Sequence, residues 1–226
     1  MNPKRKIVLA VALAVIVITV SLVAVLSQSS SGTNAGGKLN RVACLGDSIT
    51  EITGYPSDLQ ALLGNTSAVG NFGVSGATVT FNSEKAYFFQ PEFRDAAYFS
   101  PTTVIMMLGT NDARTDNYLQ INSFVVDYER IISRIEKFSS SPQVFIVEPP
   151  PIFNNTLNLN STDFAQGVIP RIIQVANTLK LPLIDVYTPL INHPEYFSDG
   201  VHPDSEGTQI IANIIYNAVK ADSPQS

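Results

Sequence analysis

Beyond residue 38 the chain alternates short, continuously apolar runs with stretches whose apolar positions recur every three or four residues. The runs are Arg41–Leu45, Ala68–Phe72, Thr103–Leu108, Val144–Val147 and Leu183–Val186, each closed by Gly, Pro or a polar residue. Runs of that length, bounded by breakers, predict strands buried on both faces. Between them, Tyr118 to Phe138 places Ile121, Phe124, Val125, Tyr128, Ile131, Ile132 and Ile135 on one helical face. Helices are also predicted over Pro56–Leu63, Phe164–Leu179 and Ser205–Val219. Pro56 suits a first turn, whereas Gly167 and Pro170 confine the regular part of the third helix to its later portion. Strand–helix alternation predicts one α/β domain: a five-stranded parallel sheet covered on both faces. Ligands on such sheets bind beyond the carboxyl ends of the strands. No internal repeat or second domain is visible.

The pattern before residue 39 is different. Ile7 to Leu26 is 20 residues without a charge, long enough as a helix to cross a hydrocarbon core of roughly 30 Å. Lys4-Arg5-Lys6 precede it, and by the positive-inside rule residues 1–6 form a cytoplasmic tail. The expectation is a membrane anchor over 7–26 or, alternatively, a signal that is cleaved to release the protein. A Ser- and Gly-rich linker over 27–38 follows, then a catalytic domain over 39–226 outside the cytoplasm.

Composition narrows the chemistry. Apolar residues make up 45% and charged residues 15%, enough for a substantial core. Three of the 14 basic residues precede the apolar run, leaving 11 against 19 acidic ones. That balance, with no basic stripe, argues against nucleic acid as a partner. One cysteine, Cys44, excludes an intrachain disulfide, and with only two histidines there is no His/Cys cluster for zinc.

Four polar signatures remain: Gly46-Asp47-Ser48, Asn71-Phe72-Gly73-Val74-Ser75-Gly76, Leu108-Gly109-Thr110-Asn111-Asp112 and Ser198-Asp199-Gly200-Val201-His202-Pro203. The first three leave predicted strands. Each alone has an ordinary reading as a turn, a helix cap or a surface loop with an idle histidine. Together, and in this order, they resemble the four sequence blocks of the SGNH (GDSL) hydrolase family over about residues 41–219. The resemblance implies a flavodoxin-like three-layer α/β/α sandwich and a serine esterase without metal or organic cofactor. It implies Ser48 as nucleophile, His202 as general base and Asp199 as the carboxylate orienting it. The implied oxyanion hole comprises the N–H groups of Ser48 and Gly76 and the Asn111 side chain.

Met107 to Tyr118 and Glu148-Pro149-Pro150-Pro151 resemble the branch acting on carbohydrate O-acyl esters, with a departure at Ala113-Arg114-Thr115. The implied substrate is an acetylated carbohydrate outside the cytoplasm. The rivals are a lipase, lysophospholipase, thioesterase or acyltransferase on the same scaffold, and a surface-displayed carbohydrate-binding module of another class. Among other residues, Cys44 reads as core, and Asp47 and Asp112 as turn or cap residues. Gly73 reads as serving its turn, His193 as lacking an acidic partner, and Tyr87, Phe88, Phe89, Phe93, Tyr98 and Phe99 as core or pocket wall.

Overall fold

A computed structural model describes residues 39–222. The predicted cytoplasmic tail, anchor and linker lie outside them. Among the described residues no helix is long and apolar enough to cross a membrane. Five strands form: β1 (Asn40–Gly46), β2 (Ser67–Gly73), β3 (Thr103–Met107), β4 (Gln143–Glu148) and β5 (Leu183–Asp185). They pair in the order β2-β1-β3-β4-β5, all parallel. This is the flavodoxin-like order, and its topological switch point falls between β1 and β3.

Side chains on a strand point alternately to the two faces, and the sheet divides its apolar residues accordingly. Ala43, Leu45, Val104, Met106, Val144 and Ile146 enter one core, while Val42, Cys44, Ile105, Met107, Phe145 and Val147 enter the other. The first core is covered by α3 (Pro91–Tyr98), α4 (Phe124–Ile135) and α5 (Ile169–Leu179). The second is covered by α2 (Tyr55–Leu63) and α6 (Ser205–Ala221). A short α1 (Ser48–Ile52) follows β1 directly. Each fully buried large aliphatic side chain contributes about 1.5–3 kcal/mol through removal from water, so both layers are needed.

Two helices depart from their predicted extents. The predicted Tyr118–Phe138 helix begins as a tight 3₁₀ turn over Tyr118–Ser123 and becomes α only at Phe124. There Ser123 hydrogen-bonds Asp127 and the Gln120 carbonyl, and Phe124 is the first fully buried residue. Phe164–Val168 forms a π turn before regular α5 begins, as Gly167 and Pro170 predict. The aromatic segment contributes a helix, α3, that the sequence does not announce. Its residues divide: Tyr87 and Phe93 are buried, while Phe89 and Tyr98 are 65% and 77% exposed.

Register sets up the site. Gly46, the last residue of β1, lies level with Gly73 of β2 and Met107 of β3. The loops after all three strands therefore emerge together at the carboxyl edge of the sheet.

Candidate active site

Ser48 is the first residue of α1 and is 8% exposed. The turn that presents it is tied by Asp47, whose Oδ1 accepts from the Ile49 N–H at 3.0 Å and whose carbonyl accepts from Glu51 N–H at 2.9 Å. Asp47 is thus the helix cap expected of an Asp at that position. Its Oδ2 and the Thr110 hydroxyl, both buried, close no hydrogen bond of ordinary geometry. Burial pushes the Asp47 carboxyl up to about 6, against the opposing pull of Ile49, Thr110 and His202.

The loop after β2 supplies backbone donors, and most are already used. Val74 N–H donates to the Gly46 carbonyl, Ser75 N–H to the Glu51 carboxylate, and Ala77 N–H to the Val74 carbonyl. Among the described residues, the N–H groups of Ser48 and Gly76 have no acceptor. Gly76 has φ +80°, and a Cβ built there would meet only Lys85 Cδ, at 3.7 Å. Glycine is favoured at 76 by its left-handed backbone. Gly73 differs: its φ is not positive, and a Cβ there would lie 2.3 Å from Glu51 N. It is required by the close approach of β2 to α1, which corrects its reading as a turn residue.

Asn111 sits in the turn after β3 and is 9% exposed. One of its two amide hydrogens is donated to the Ala77 carbonyl at 3.0 Å, which fixes the side chain beside the β2 loop. The other hydrogen is free to serve a ligand. Its neighbour Asp112 braces the same loop from below, accepting from Val79 and Thr80 N–H at 2.8 and 3.0 Å. Complete burial pushes the Asp112 carboxyl up to about 7 despite those bonds.

The predicted base, His202, and its predicted partner, Asp199, arrive from the segment between β5 and α6. Asp199 Oδ1 accepts from the N–H groups of Val201 and His202, at 2.9 and 2.8 Å, and so closes a one-turn loop. Its Oδ2 lies 2.6 Å from His202 Nδ1, and His202 Nε2 lies 2.8 Å from Ser48 Oγ. The hydrogen-bond chain assigns the imidazole proton to Nδ1 and leaves Nε2 as acceptor for the serine proton. Burial raises the Asp199 carboxyl, but the bonds from His202 and Val201 outweigh it and hold the group below the usual carboxylate range. All five sequence-predicted residues meet here: Ser48, Gly76, Asn111 and His202 line one pocket of about 220 Å³, with Asp199 behind the imidazole.

The remaining candidates fall elsewhere. Cys44 is buried in β1 and hydrogen-bonded towards Tyr55, its thiol pushed up to about 12 by desolvation. His193 does have an acidic partner: Glu195 Oε1 lies 2.8 Å from its Nδ1, brought there by a turn two residues on. None of the predicted aromatic group lines the pocket. Its rim is formed instead by Ile52, Arg114 and Leu157. Among the described residues no group of three His, Cys, Asp or Glu side chains could hold a metal ion.

Comparison with known proteins bears on the family and the fold. An acetylxylan esterase of Xylanibacter ruminicola is 30% identical over 80% of this chain, and the chain spans 43% of that protein's length. A GDSL-like lipase of Bacteroides thetaiotaomicron superposes with TM-score 0.63 at 25% identity, covering 81% of this chain and 89% of its own. A carbohydrate acetylesterase family member of Sinorhizobium meliloti superposes with TM-score 0.63 at 21% identity, covering 80% and 98%. The model of the GDSL-like lipase/acylhydrolase family matches residues 44–210, which include Ser48, Gly76, Asn111, Asp199 and His202 and most of the sheet, and the chain belongs to that family.

Proposed function

We propose that this protein is a serine esterase that removes acetyl groups from carbohydrate outside the cytoplasm. The observation that carries the reading is the unbroken chain from Asp199 through His202 to Ser48, at 2.6 and 2.8 Å, facing unspent donors at Ser48, Gly76 and Asn111.

Each group has a defined task. His202 Nε2 takes the Ser48 proton as Oγ attacks the ester carbonyl carbon. The oxygen of the tetrahedral intermediate gains negative charge and is held by the N–H groups of Ser48 and Gly76 and the Asn111 amide. Asp199 steadies the imidazolium that forms. As the intermediate collapses and its bond to the sugar oxygen breaks, His202 gives its proton to that oxygen, releasing the sugar hydroxyl and leaving an acyl group on Ser48. Water, deprotonated by the same imidazole, releases the carboxylic acid and restores the serine.

An acetyl group suits a pocket of about 220 Å³, which is smaller than the roughly 300–1,000 Å³ that holds drug-sized ligands. The name of the Xylanibacter ruminicola relative supports the same substrate class. The apolar run over Ile7–Leu26, with Lys4-Arg5-Lys6 before it, anchors the catalytic domain on the outer side of the membrane.

The test uses the full-length chain beside Ser48→Ala, on p-nitrophenyl acetate and on acetylated sugars. Ser48-dependent acetate release is expected from both. A folded wild type no faster than Ser48→Ala on every ester, but binding glycan, would replace the esterase with a carbohydrate-binding module. Extraction of the chain from membranes only by detergent is expected; release by salt or buffer alone would refute the anchor.

A further inference from the structure

The pocket holding Ser48 does not end at its own walls. Arg114 and Leu157 form its rim on one side and also border a second, open depression of about 630 Å³, reaching Thr115, Leu119 and Asn158. On another side, Ile52 and His202 also border a third depression of about 400 Å³, between the start of α2 and the start of α6, reaching Ser57 and Gln209. No residue is common to the two outer depressions, so they leave the catalytic pocket through different walls. Ser48 thus lies between two open depressions, which together with its own pocket make a groove.

The lining says what would fit. Arg114 is the single Lys or Arg along the described groove, and its Nε and Nη2 are bound to Asp116 at 2.8 and 3.0 Å. A paired guanidinium of this kind offers little net charge to an anion, and the far depression adds the carboxylates of Asp58 and Asp204. The groove therefore disfavours phosphate- or uronate-bearing ligands. Its apolar features are Ile52, Leu119 and Leu157, exposed by 62%, 79% and 42%. These aliphatic side chains are spaced along the lining and set among hydroxyl and amide groups. That mixture matches the C–H faces and hydroxyl rims of successive sugar rings.

We infer that the substrate is a neutral polysaccharide chain lying along this groove, acetylated at an internal unit, with glycosyl subsites on both sides of Ser48. The inference rests on the esterase reading and deepens it. An open-ended groove passes a chain through, whereas a closed pocket admits only a terminus. The catalytic pocket holds the ester, and the two depressions hold the sugars flanking it.

Length dependence tests this on the full-length protein. With acetylated xylo-oligosaccharides from monosaccharide to hexasaccharide, kcat/KM is expected to rise at least about tenfold, which is 1.4 kcal/mol, mainly through KM. Leu119→Ser and Gln209→Ala, at opposite ends, are each expected to lower the hexasaccharide-to-monosaccharide ratio of kcat/KM severalfold. Two variants at separate sites guard against one of them misfolding. A flat length profile with Ser48-dependent hydrolysis of p-nitrophenyl acetate would overturn the groove and leave the esterase standing. Preference for p-nitrophenyl octanoate over acetate would also overturn it, because the depressions would then be holding an acyl chain. Absence of Ser48-dependent hydrolysis on p-nitrophenyl acetate would remove the esterase reading itself.

Discussion

Asparagine in place of Asp199 keeps the shape of the side chain but changes what it presents to His202. The carbonyl oxygen of the amide can keep the two backbone bonds that Asp199 Oδ1 accepts from Val201 and His202. The amide nitrogen then takes the place of Oδ2, 2.6 Å from His202 Nδ1. An amide nitrogen donates, so Nδ1 must accept and the imidazole proton moves to Nε2. Nε2 would then offer a proton to Ser48 Oγ across the 2.8 Å contact instead of receiving one. A tautomer error of this kind in a serine triad costs about 10⁴ in turnover, or about 5 kcal/mol of barrier. Stability should barely change: the Asp199 side chain is 44% exposed and the loop's own bonds survive. An exposed pair contributes about 0–1 kcal/mol, and 1 kcal/mol is a melting shift of about 2–4 °C in a domain of this size, so the shift should not exceed that. The assay is kcat on p-nitrophenyl acetate beside a thermal melt of the same preparation. A loss below about tenfold would refute the reasoning, since His202 would then be oriented by something other than Asp199.

Three further outcomes follow from the same geometry. Asn111→Ala should lower kcat by about 10²–10³ with KM little changed; an equal rise in KM alone would show that the amide binds the ground state. Gly73→Ala must push α1 aside, because its Cβ would sit 2.3 Å from Glu51 N and 2.8 Å from Thr50 C. A displaced Ser48 should cost about 10² in kcat, whereas Gly76→Ala, with open space but φ +80°, should cost about 1–2 kcal/mol of stability; melts and kcat of both variants separate the two effects. Asp47, Asp112 and Glu148 are held at about 6, 7 and 7, chiefly by burial. The fold favours their neutral forms, so this stability is complete below the unfolded carboxylate range and is lost as pH rises through 6 to 7. The melting temperature should therefore fall between about pH 4.5 and 7.5 and then level off; a rise across that window would show that these groups are charged in the native protein.

The sequence disclosed the framework because burial and backbone geometry act locally. Strands sandwiched between two cores must be apolar throughout, so Val42-Ala43-Cys44-Leu45 and Val104-Ile105-Met106-Met107 were legible as they stood. Asp47 was legible as a cap because its partner, the Ile49 N–H, lies two residues on, whereas Asp112 is no local cap: its carboxylate braces Val79 and Thr80, more than thirty residues back. What the sequence withheld depends on distant loops meeting. Arg114 and Leu157 share a rim, and Glu51 occupies the Ser75 N–H so that Gly76 is left free; neither pairing has a local trace. Helix α3 was hidden because only Phe93 and Ala96 of its eight residues are buried, too few to print a period. The His193–Glu195 pair forms only through the turn at Pro194–Tyr196, which the sequence does not announce.

Ser48 leaves the first strand of the domain, and its base stands 154 residues later, just before the last helix. That last helix, α6, packs against α2, which follows the nucleophile almost at once. The reactive pair is thus split between the two ends of the domain and joined only when the sheet is complete and both covering helices have docked. A nascent or partly threaded chain carries a serine of ordinary alcohol reactivity. Hydrolytic competence and the finished fold arrive in the same event, so the rate of ester cleavage can serve as a direct clock for completion of folding.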